Sequence, residues 1–547
     1  MTRRRPGPRT GVTLFRLGLA ALVILAGLVD LRAQRVARGR QPLAAPVRPV
    51  ARPARSLPEA LSAQAVRTRA GALAEASARG LSYIPGEVLV KFRNRAGRRD
   101  PQRALAAVRS QSAVDNLRWI GDVALVKDPA QPDAISLARR LAAHPDVEFA
   151  EPNYLRQVAG VSSDRWAAIG TGQAPGGAPA GVPSDPDYGE LQWNLTLIGM
   201  PDAWDINPGG NSSLTVAVLD TGVTTAAETI VRRLWTGSSF EMVSLRFNAS
   251  PDITSSRFTQ PRDFTSNNPN EPVRDLSGHG THVASTLAED TNNQLALAGI
   301  AYRVRVMPIK VCLGYWDLMI VRAELGIPGF LPAVAGACSS ADVAAGIRYA
   351  VDNGARVLNV SISGSSPSQV ERDALVYAAD RGAFVALAAG NDFENGNPVQ
   401  YPAAFASSIE GVMSVGAIGK SLARAYYSST GTYIETTAPG GSSRDGGGED
   451  GGFIWQVTLF PLDTAPSILR PRFDRYAEVG FSGTSMAAPH AAGVAALLMS
   501  QGVSNPRAIE AFIKASARDL GPSGTDTEFG HGLIQGRAVV FGQGVWR

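Results

Sequence analysis

Apolar residues along this 547-residue chain follow several distinct patterns in succession. The first is a continuous apolar run, LGLAALVILAGLV (17–29), preceded by Arg3, Arg4, Arg5, Arg9 and Arg16. Thirteen residues are few for a membrane span and suit the apolar stretch of an export signal. Leu31-Arg32-Ala33 is a poor small-x-small cleavage site, so 1–33 reads either as a removed signal peptide or as a retained anchor. From 34 to 80 the pattern dissolves into Arg, Pro and Ala, which predicts a linker that does not pack.

Between 81 and 156 short periodic segments appear. YIPGEVLVKF (83–92), RWIGDVALVKD (118–128) and VEFAEPNYL (147–155) read as strands, and PQRALAAVRS (101–110) and DAISLARRLAAH (133–144) as helices. That alternation predicts a small α+β domain. Residues 157–183 are rich in Gly, Ala, Pro and Ser, the composition of an exposed linker open to proteolysis. From 184 to 547 apolar strands alternate with amphipathic helices: TVAVLD (215–220), AYRVRVMPIKV (301–311), SSADVAAGIRYAVDNG (339–354), ARVLNVSIS (355–363), ERDALVYAADRG (371–382) and VALAAGNDF (385–393). Such alternation predicts an α/β fold, a doubly wound parallel sheet flanked by helices.

Charge divides along the same lines. The first 70 residues carry 14 arginines and no lysine against Asp30 and Glu59, whereas residues 181–547 carry 25 basic and 35 acidic residues. The overall pI near 9.3 therefore describes the N-terminal part. Nucleic-acid binding is excluded as a reading, because the larger unit is acidic and has no basic stripe interleaved with aromatics. The two cysteines, Cys312 and Cys338, bracket an apolar insertion, and in an exported chain an even pair at a loop's two ends reads as a disulfide. A loop of that size gives about 3 kcal/mol by the loop-entropy model.

Three strings carry chemistry. AVLDTGV (217–223) places Asp220 at the end of an apolar strand, where open α/β sheets put their sites. SGHGTHVAS (277–285) places His279 at a helix start, and FSGTSMAAPHAAGVAALL (481–498) places Ser485 in the first turn of a small-residue helix that Pro489 should kink or adjust. A serine hydroxyl is a weak nucleophile at neutral pH; it needs an imidazole as base and a carboxylate to orient that imidazole. Asn391, leaving the strand in VALAAGNDF, is the candidate oxyanion donor beside the Ser485 backbone N–H. His282 and His490 read as packed structural histidines. Zinc is not expected, since no H-E-x-x-H or further His/Cys cluster accompanies His279 and His282.

With D-T-G at 220–222, H-G-T-H-V-A at 279–284, A-A-G-N at 388–391 and G-T-S-M-A-A-P-H at 483–490, in that order, the chain resembles the subtilisin-like serine proteases, or subtilases, from about residue 80 to 540. PGEVLVKF and HPDVEFAEPNY (144–154) resemble the family's inhibitory propeptide, a ferredoxin-like α+β domain, and SDPDYGELQWNL (184–195) resembles the start of the mature enzyme. The resemblance implies a secreted serine endopeptidase made as a self-inhibited zymogen, acting on protein or peptide substrates, with the propeptide at 81–156 as intramolecular inhibitor, maturation cleavage within 157–183 and the catalytic domain at 184–547. It implies that Ser361, Ile362, Ser363 and Gly364 bind an extended peptide by strand addition, with Ala388, Ala389 and Gly390 walling the first specificity pocket. The family usually has Gly where Ser363 stands. It requires no catalytic cofactor, but a structural calcium is implied by EDTNNQLALAG (289–299), with Asn293 and the carbonyls of Thr291, Leu295 and Leu297 as oxygen ligands and Asp185 or Asp187 contributing. The family's carboxylate ligand after the catalytic Asp is not recognisable in 224–235. The alternatives are a catalytically silent peptide-binding relative, or a processing protease with one dedicated substrate. The insertion at 313–337 is expected to overhang the cleft beside Ser361 and to shape specificity ahead of the cut.

Overall fold

The computed structural model describes residues 59–94, 100–167, 169–171, 181–327, 336–445, 450–460 and 472–541. The export-signal reading (1–33) lies outside them. Residues 181–541 are built on a seven-stranded, wholly parallel sheet. Its order is Thr436–Pro439, Val412–Ile418, Phe384–Ala388, Val357–Val360, Thr215–Asp220, Arg305–Lys310 and Arg262–Asp263. The chain starts in the Thr215 strand, runs to the edge strand Arg262–Asp263, returns to lay Arg305–Lys310 between the two, then crosses back to Val357 and builds outward on the other side. The carboxyl ends of the Thr215 and Val357 strands therefore flank the topological switch point, where a doubly wound sheet opens a crevice. Both faces are covered. Val216 and Val218 pack with Val283, Leu287 and Val494 on one side, while Ala217 and Leu219 pack with Val343, Ile347 and Leu375 on the other. Alternate residues of one strand thus enter two different cores, which is why the strands read as unbroken apolar runs.

The N-terminal unit is an antiparallel sheet, Val147–Val158, Tyr83–Phe92, Val123–Lys127 and Arg118–Ile120, with helices Pro101–Ala107 and Ala134–Ala142. Period-2 alternation again sets its two faces. Val88, Val90 and Val126 pack with Leu105, Leu137 and Leu141 beneath its own helices. Leu89 and Leu125 point the other way, into the cluster that holds Ile347 of the helix Ser340–Asp352. The N-terminal sheet is thereby buried against the larger unit.

Two expectations about linkers are corrected. Within 34–80, Arg69–Ala78 forms a helix whose start is capped by Thr68, with Oγ1 accepting from the Gly71 N–H at 3.0 Å. Its Ala72 and Leu73 pack, with Leu61 and Ala65, against Leu318 and Met319 of the insertion. The Arg/Pro composition hid a short Ala/Leu stripe that needs a partner from another part of the chain. Within 157–183 the chain is extended rather than loose: the strand Val147–Val158 runs into the cleft, and Val161–Ala167 pairs with Tyr476–Ser482. Residues 172–180 lie outside the described set.

The insertion is closed by a Cys312–Cys338 disulfide, with the two residues directly opposite each other in an antiparallel pair. Its first part is the helix Tyr315–Glu324. Its return strand, Ala337–Ser339, pairs with Leu155 and Arg156 and so forms one wall of the cleft.

Candidate active site

Asp220 ends the Thr215 strand, and His279 opens the helix His279–Ala288. The Asp220 Oδ1 lies 2.7 Å from His279 Nδ1 and accepts from the Thr221 N–H at 2.7 Å. Both side chains are buried. Two residues not singled out in the sequence fix this pair. Asp275, four residues before His279, accepts from the N–H groups of Ser277, Gly278 and Thr281 and from both the Thr221 and Thr281 hydroxyls. It satisfies donors at the helix start and pins the turn after Asp220. Lys310, opposite Asp220 in the sheet register, donates from Nζ to the carbonyls of Thr221 (2.6 Å) and Arg274 (2.9 Å) and pairs with Asp317 at 2.9 Å. Burial pushes the Asp317 carboxyl up to about 6, and Lys310 pulls against that shift. Asp317 belongs to the insertion helix, so this buried pair ties the insertion to the Asp220 strand.

Ser485 sits in the first turn of the helix Thr484–Ser500, which continues through Pro489. Proline has no N–H to offer the carbonyl four residues back, that of Ser485. Ser361 Oγ donates to that carbonyl at 3.0 Å instead, so the freed acceptor binds the helix to the end of the Val357 strand. Asn391 Oδ1 accepts from the Thr484 N–H at 3.0 Å and from Thr484 Oγ1 at 2.9 Å. With its oxygen held, the side chain has its NH2 end left to donate.

His282 and His490 are fully packed. His282 Nε2 lies 3.1 Å from the carbonyls of Ile454 and Val479, and burial holds its imidazole down at about 3. His490 Nδ1 lies 2.7 Å from the Met486 carbonyl, Asn194 meets its Nε2 at 2.8 Å, and burial holds it down at about 4. Both rings are neutral structural parts.

The N-terminal unit delivers its own chain into this site. Val158 and Gln157 pair antiparallel with Ile362 and Ser363, while Arg156 and Leu155 pair with Cys338 and Ser339 on the other side. The tail is thus a strand added between two strands of the cleft. The Ala159 N–H donates to the Ser361 carbonyl at 3.1 Å, and the Ala159 carbonyl accepts from the Ser485 N–H at 2.8 Å. Its methyl packs with Ala388 and Ala488. Gly160 lies between the two key side chains: a Cβ there would be 2.9 Å from His279 Nε2 and 3.2 Å from Ser485 Cβ. Gly483 is a glycine for the same reason, since a Cβ on it would stand 2.4 Å from the Ala159 oxygen. Ser485 Oγ meanwhile donates to the Ser361 carbonyl at 3.1 Å.

Of the expected peptide-binding residues, Ser361, Ile362, Ser363 and Ala388 meet the tail as described. The Gly364 carbonyl is taken by the Tyr401 N–H, Ala389 joins the far side of the sheet, and the Gly390 N–H is held by Thr484 Oγ1.

These features have close parallels among known proteins. The profile of the subtilase family matches residues 211–532, and that of the fervidolysin N-terminal prodomain matches 69–153. The chain belongs to the subtilase family. It is 29% identical to the thermophilic serine proteinase of Bacillus sp. strain AK1 over 459 residues, 84% of this chain and 88% of the relative. To the extracellular protease of Xanthomonas campestris pv. campestris it is 30% identical over 433 residues, covering 75% and 61%. To thermitase of Thermoactinomyces vulgaris it is 29% identical over 364 residues, covering 66% and 99%. Fervidolysin from Fervidobacterium pennivorans shares the fold, with a TM-score of 0.59 at 23% identity, over 84% of this chain and 61% of that one. The subtilase fold and the serine-type endopeptidase activity of the family are therefore those of this chain, which also carries the family's prodomain, hereafter the prosegment. Among the described residues no helix is long and apolar enough to cross a membrane.

The loop expected to hold calcium brings Asp185 and Asn293 together. Among the described residues no three His, Cys, Asp or Glu side chains form a metal-ligand group, so a cation there would draw on amide and carbonyl oxygens as well. Asp185 is present, accepting from the N–H groups of Asn292 and Asn293 at 2.9 and 3.1 Å. Asp187 lies against Gly170, with Oδ2 buried and without a hydrogen-bond partner. A further carboxylate borders this loop: Asp252 is buried, with Oδ1 2.6 Å from Asn293 Nδ2 and Oδ2 without a hydrogen-bond partner. It follows the hairpin Glu228–Phe247, which separates it in the chain from Asp220. Burial, with Asp290 and Asp185 nearby, pushes the Asp252 carboxyl up to about 8. A buried carboxylate oxygen lacking a partner beside a second carboxylate fits a hard cation.

Proposed function

We propose that this subtilase is exported as a zymogen that cuts its own chain between Ala159 and Gly160, and that the same machinery then cleaves extended peptides in other proteins. The observation that carries the reading is the Ala159 carbonyl on the Ser485 N–H, with Gly160 packed between His279 and Ser485.

In this mechanism the Ser485 hydroxyl turns from the Ser361 carbonyl toward His279 Nε2, which takes its proton as Oγ attacks the Ala159 carbonyl carbon. Asp220 accepts from Nδ1–H and so fixes the tautomer that leaves Nε2 free, then stabilises the imidazolium that forms. Negative charge builds on an oxygen already facing the Ser485 N–H, with the Asn391 NH2 as second donor. Collapse breaks the C–N bond, His279 protonates the departing Gly160 amine, and water releases the acyl group from Ser485 by the same proton path.

Strand addition explains how the prosegment inhibits: its tail occupies the cleft as a substrate does. The body holds the tail there. Glu151 accepts from the Gln369 and Val370 N–H groups and Ser368 Oγ at one helix start, and Asn153 Oδ1 accepts from the Ala341 N–H and Ser340 Oγ at another. Calcium at Asp185, Asp252 and Asn293 would supply positive charge that steadies the loop, outside the chemistry.

The test is to express the chain with and without Ser485→Ala and to follow mass and fluorophosphonate labelling. The wild type should lose its prosegment and label. A wild-type chain that stays whole and unlabelled, even after its prosegment is removed by an added protease, would overturn the reading in favour of a silent peptide binder.

A further inference from the structure

Counting back from the Ala159–Gly160 bond, the residues ahead of the cut are Ala159, Val158, Gln157 and Arg156. Their environments differ sharply. Gln157 is exposed, Ala159 and Val158 fill small apolar spaces, and Arg156 is 1% exposed although it carries a charge. The catalytic domain provides a fitted receptacle for it. Arg156 Nη2 lies 2.7 Å from Glu371 Oε2, Nε lies 3.1 Å from Glu371 Oε1, and Nη2 also donates to the Ser366 carbonyl at 2.7 Å. Both charged side chains are wholly enclosed. Gly364 leaves room for the arginine stem; a Cβ there would be 3.1 Å from Arg156 Cδ.

We propose that Glu371 makes this protease selective for arginine at the fourth residue ahead of the cut, in other proteins as well as in its own prosegment. The proposal rests on the reading that the tail lies as a substrate lies. Two effects combine. Arginine presents a planar fork to the carboxylate and a further N–H to the Ser366 carbonyl, a pattern a lysine ammonium does not reproduce. A substrate with an apolar side chain there would cover Glu371 without neutralising it, and a buried carboxylate lacking its partner is costly, so the pocket rejects as well as attracts. Burial raises the Glu371 acid while Arg156 lowers it, which is the same competition seen from the carboxylate. Glu371 stands in the first turn of the helix Gln369–Asp380, capped by Ser368, so its placement is independent of the tail.

The test uses the matured enzyme and four fluorogenic peptides, Arg-Gln-Val-Ala and its variants with Lys, Ala or Leu in place of Arg. The expected result is a kcat/KM for the Arg peptide about 30-fold or more above the Ala and Leu peptides, the lower bound for breaking a buried charge pair, with Lys between. Glu371→Gln should abolish that preference while retaining cleavage of the Leu peptide and fluorophosphonate labelling. A wild-type enzyme that labels and cuts the Arg and Leu peptides equally overturns the proposal and leaves the catalytic reading standing, and this comparison needs no variant to fold. Retained Arg preference in a labelled Glu371→Gln enzyme also overturns it. Failure of the wild type to label or to cut any peptide overturns the catalytic reading, and this inference with it.

Discussion

The prosegment meets the catalytic domain in two ways that obey different physics. Its body, residues 69–153, docks by apolar burial of Leu89 and Leu125, by ion pairing of Arg118 and Arg69 with Asp342 at 2.6 and 3.3 Å, and by the two helix-start acceptors Glu151 and Asn153. None of those contacts touches Ser485. The tail, 155–160, packs Val158 and Ala159 into apolar clusters, buries Arg156 on Glu371, and sets the Ala159 carbonyl on the Ser485 N–H with Gly160 beside His279. The difference teaches that the body's contacts add affinity away from the reacting groups, whereas the tail's contacts surround the bond at Ser485. On the proposed mechanism the body holds the susceptible bond in place, and would go on holding the cut product there until the body itself is lost.

Variants should separate the two. The largest effect is expected from Ser485→Ala, which leaves body and tail in place but slows self-cleavage by about 10⁶-fold, the scale of such losses in serine proteases; gel mobility over time reads it. Asn391→Ala should slow the same cut by about 10²–10³-fold, the range for loss of one oxyanion donor, with the prosegment bound as before. On the body side, Glu151→Ala removes the acceptor for a helix start. A cap of this kind is worth about 1 kcal/mol, so the cut prosegment should leave about fivefold faster while the rate of the cut itself is unchanged. If Glu151→Ala instead slowed the cut strongly, body and tail would be one unit and the comparison would fail.

The loop at Asp252 and Asn293, where calcium is proposed, serves as a control away from both. Without a cation the Asp252 acid is raised to about 8. Stability from a raised acid is full below its unfolded value near 4 and is lost as pH rises through the folded value. Calcium added to the matured enzyme should therefore raise Tm more at pH 9 than at pH 6, and Asp252→Asn should flatten that difference without changing the cut. An equal calcium response at both pH values would remove Asp252 from the site.

Legibility in the sequence followed how local each feature is. Asp220, His279, Ser485 and Asn391 sit in short strings at strand ends and helix starts, and the parallel sheet was written in unbroken apolar runs such as TVAVLD. Pro489 was visible as a disturbance, but its consequence, the Ser485 carbonyl released to Ser361, required a residue 124 positions away. Glu371 read as one more charge on an amphipathic helix, and Arg156 as a residue near a linker, because a buried pair 215 positions apart leaves no periodic trace. The helix Arg69–Ala78 was masked by its Arg- and Pro-rich surroundings and folds against an insertion far along the chain.

The most direct test of the central claim is the mass of the first prosegment fragment released by the wild-type chain, with the N-terminal sequence of its complement. A fragment ending at Ala159 beside a product beginning at Gly160 is the predicted result. A first cut at any other bond would mean that the tail does not lie as a substrate, and would contradict both the mechanism and the register that places Arg156 against Glu371.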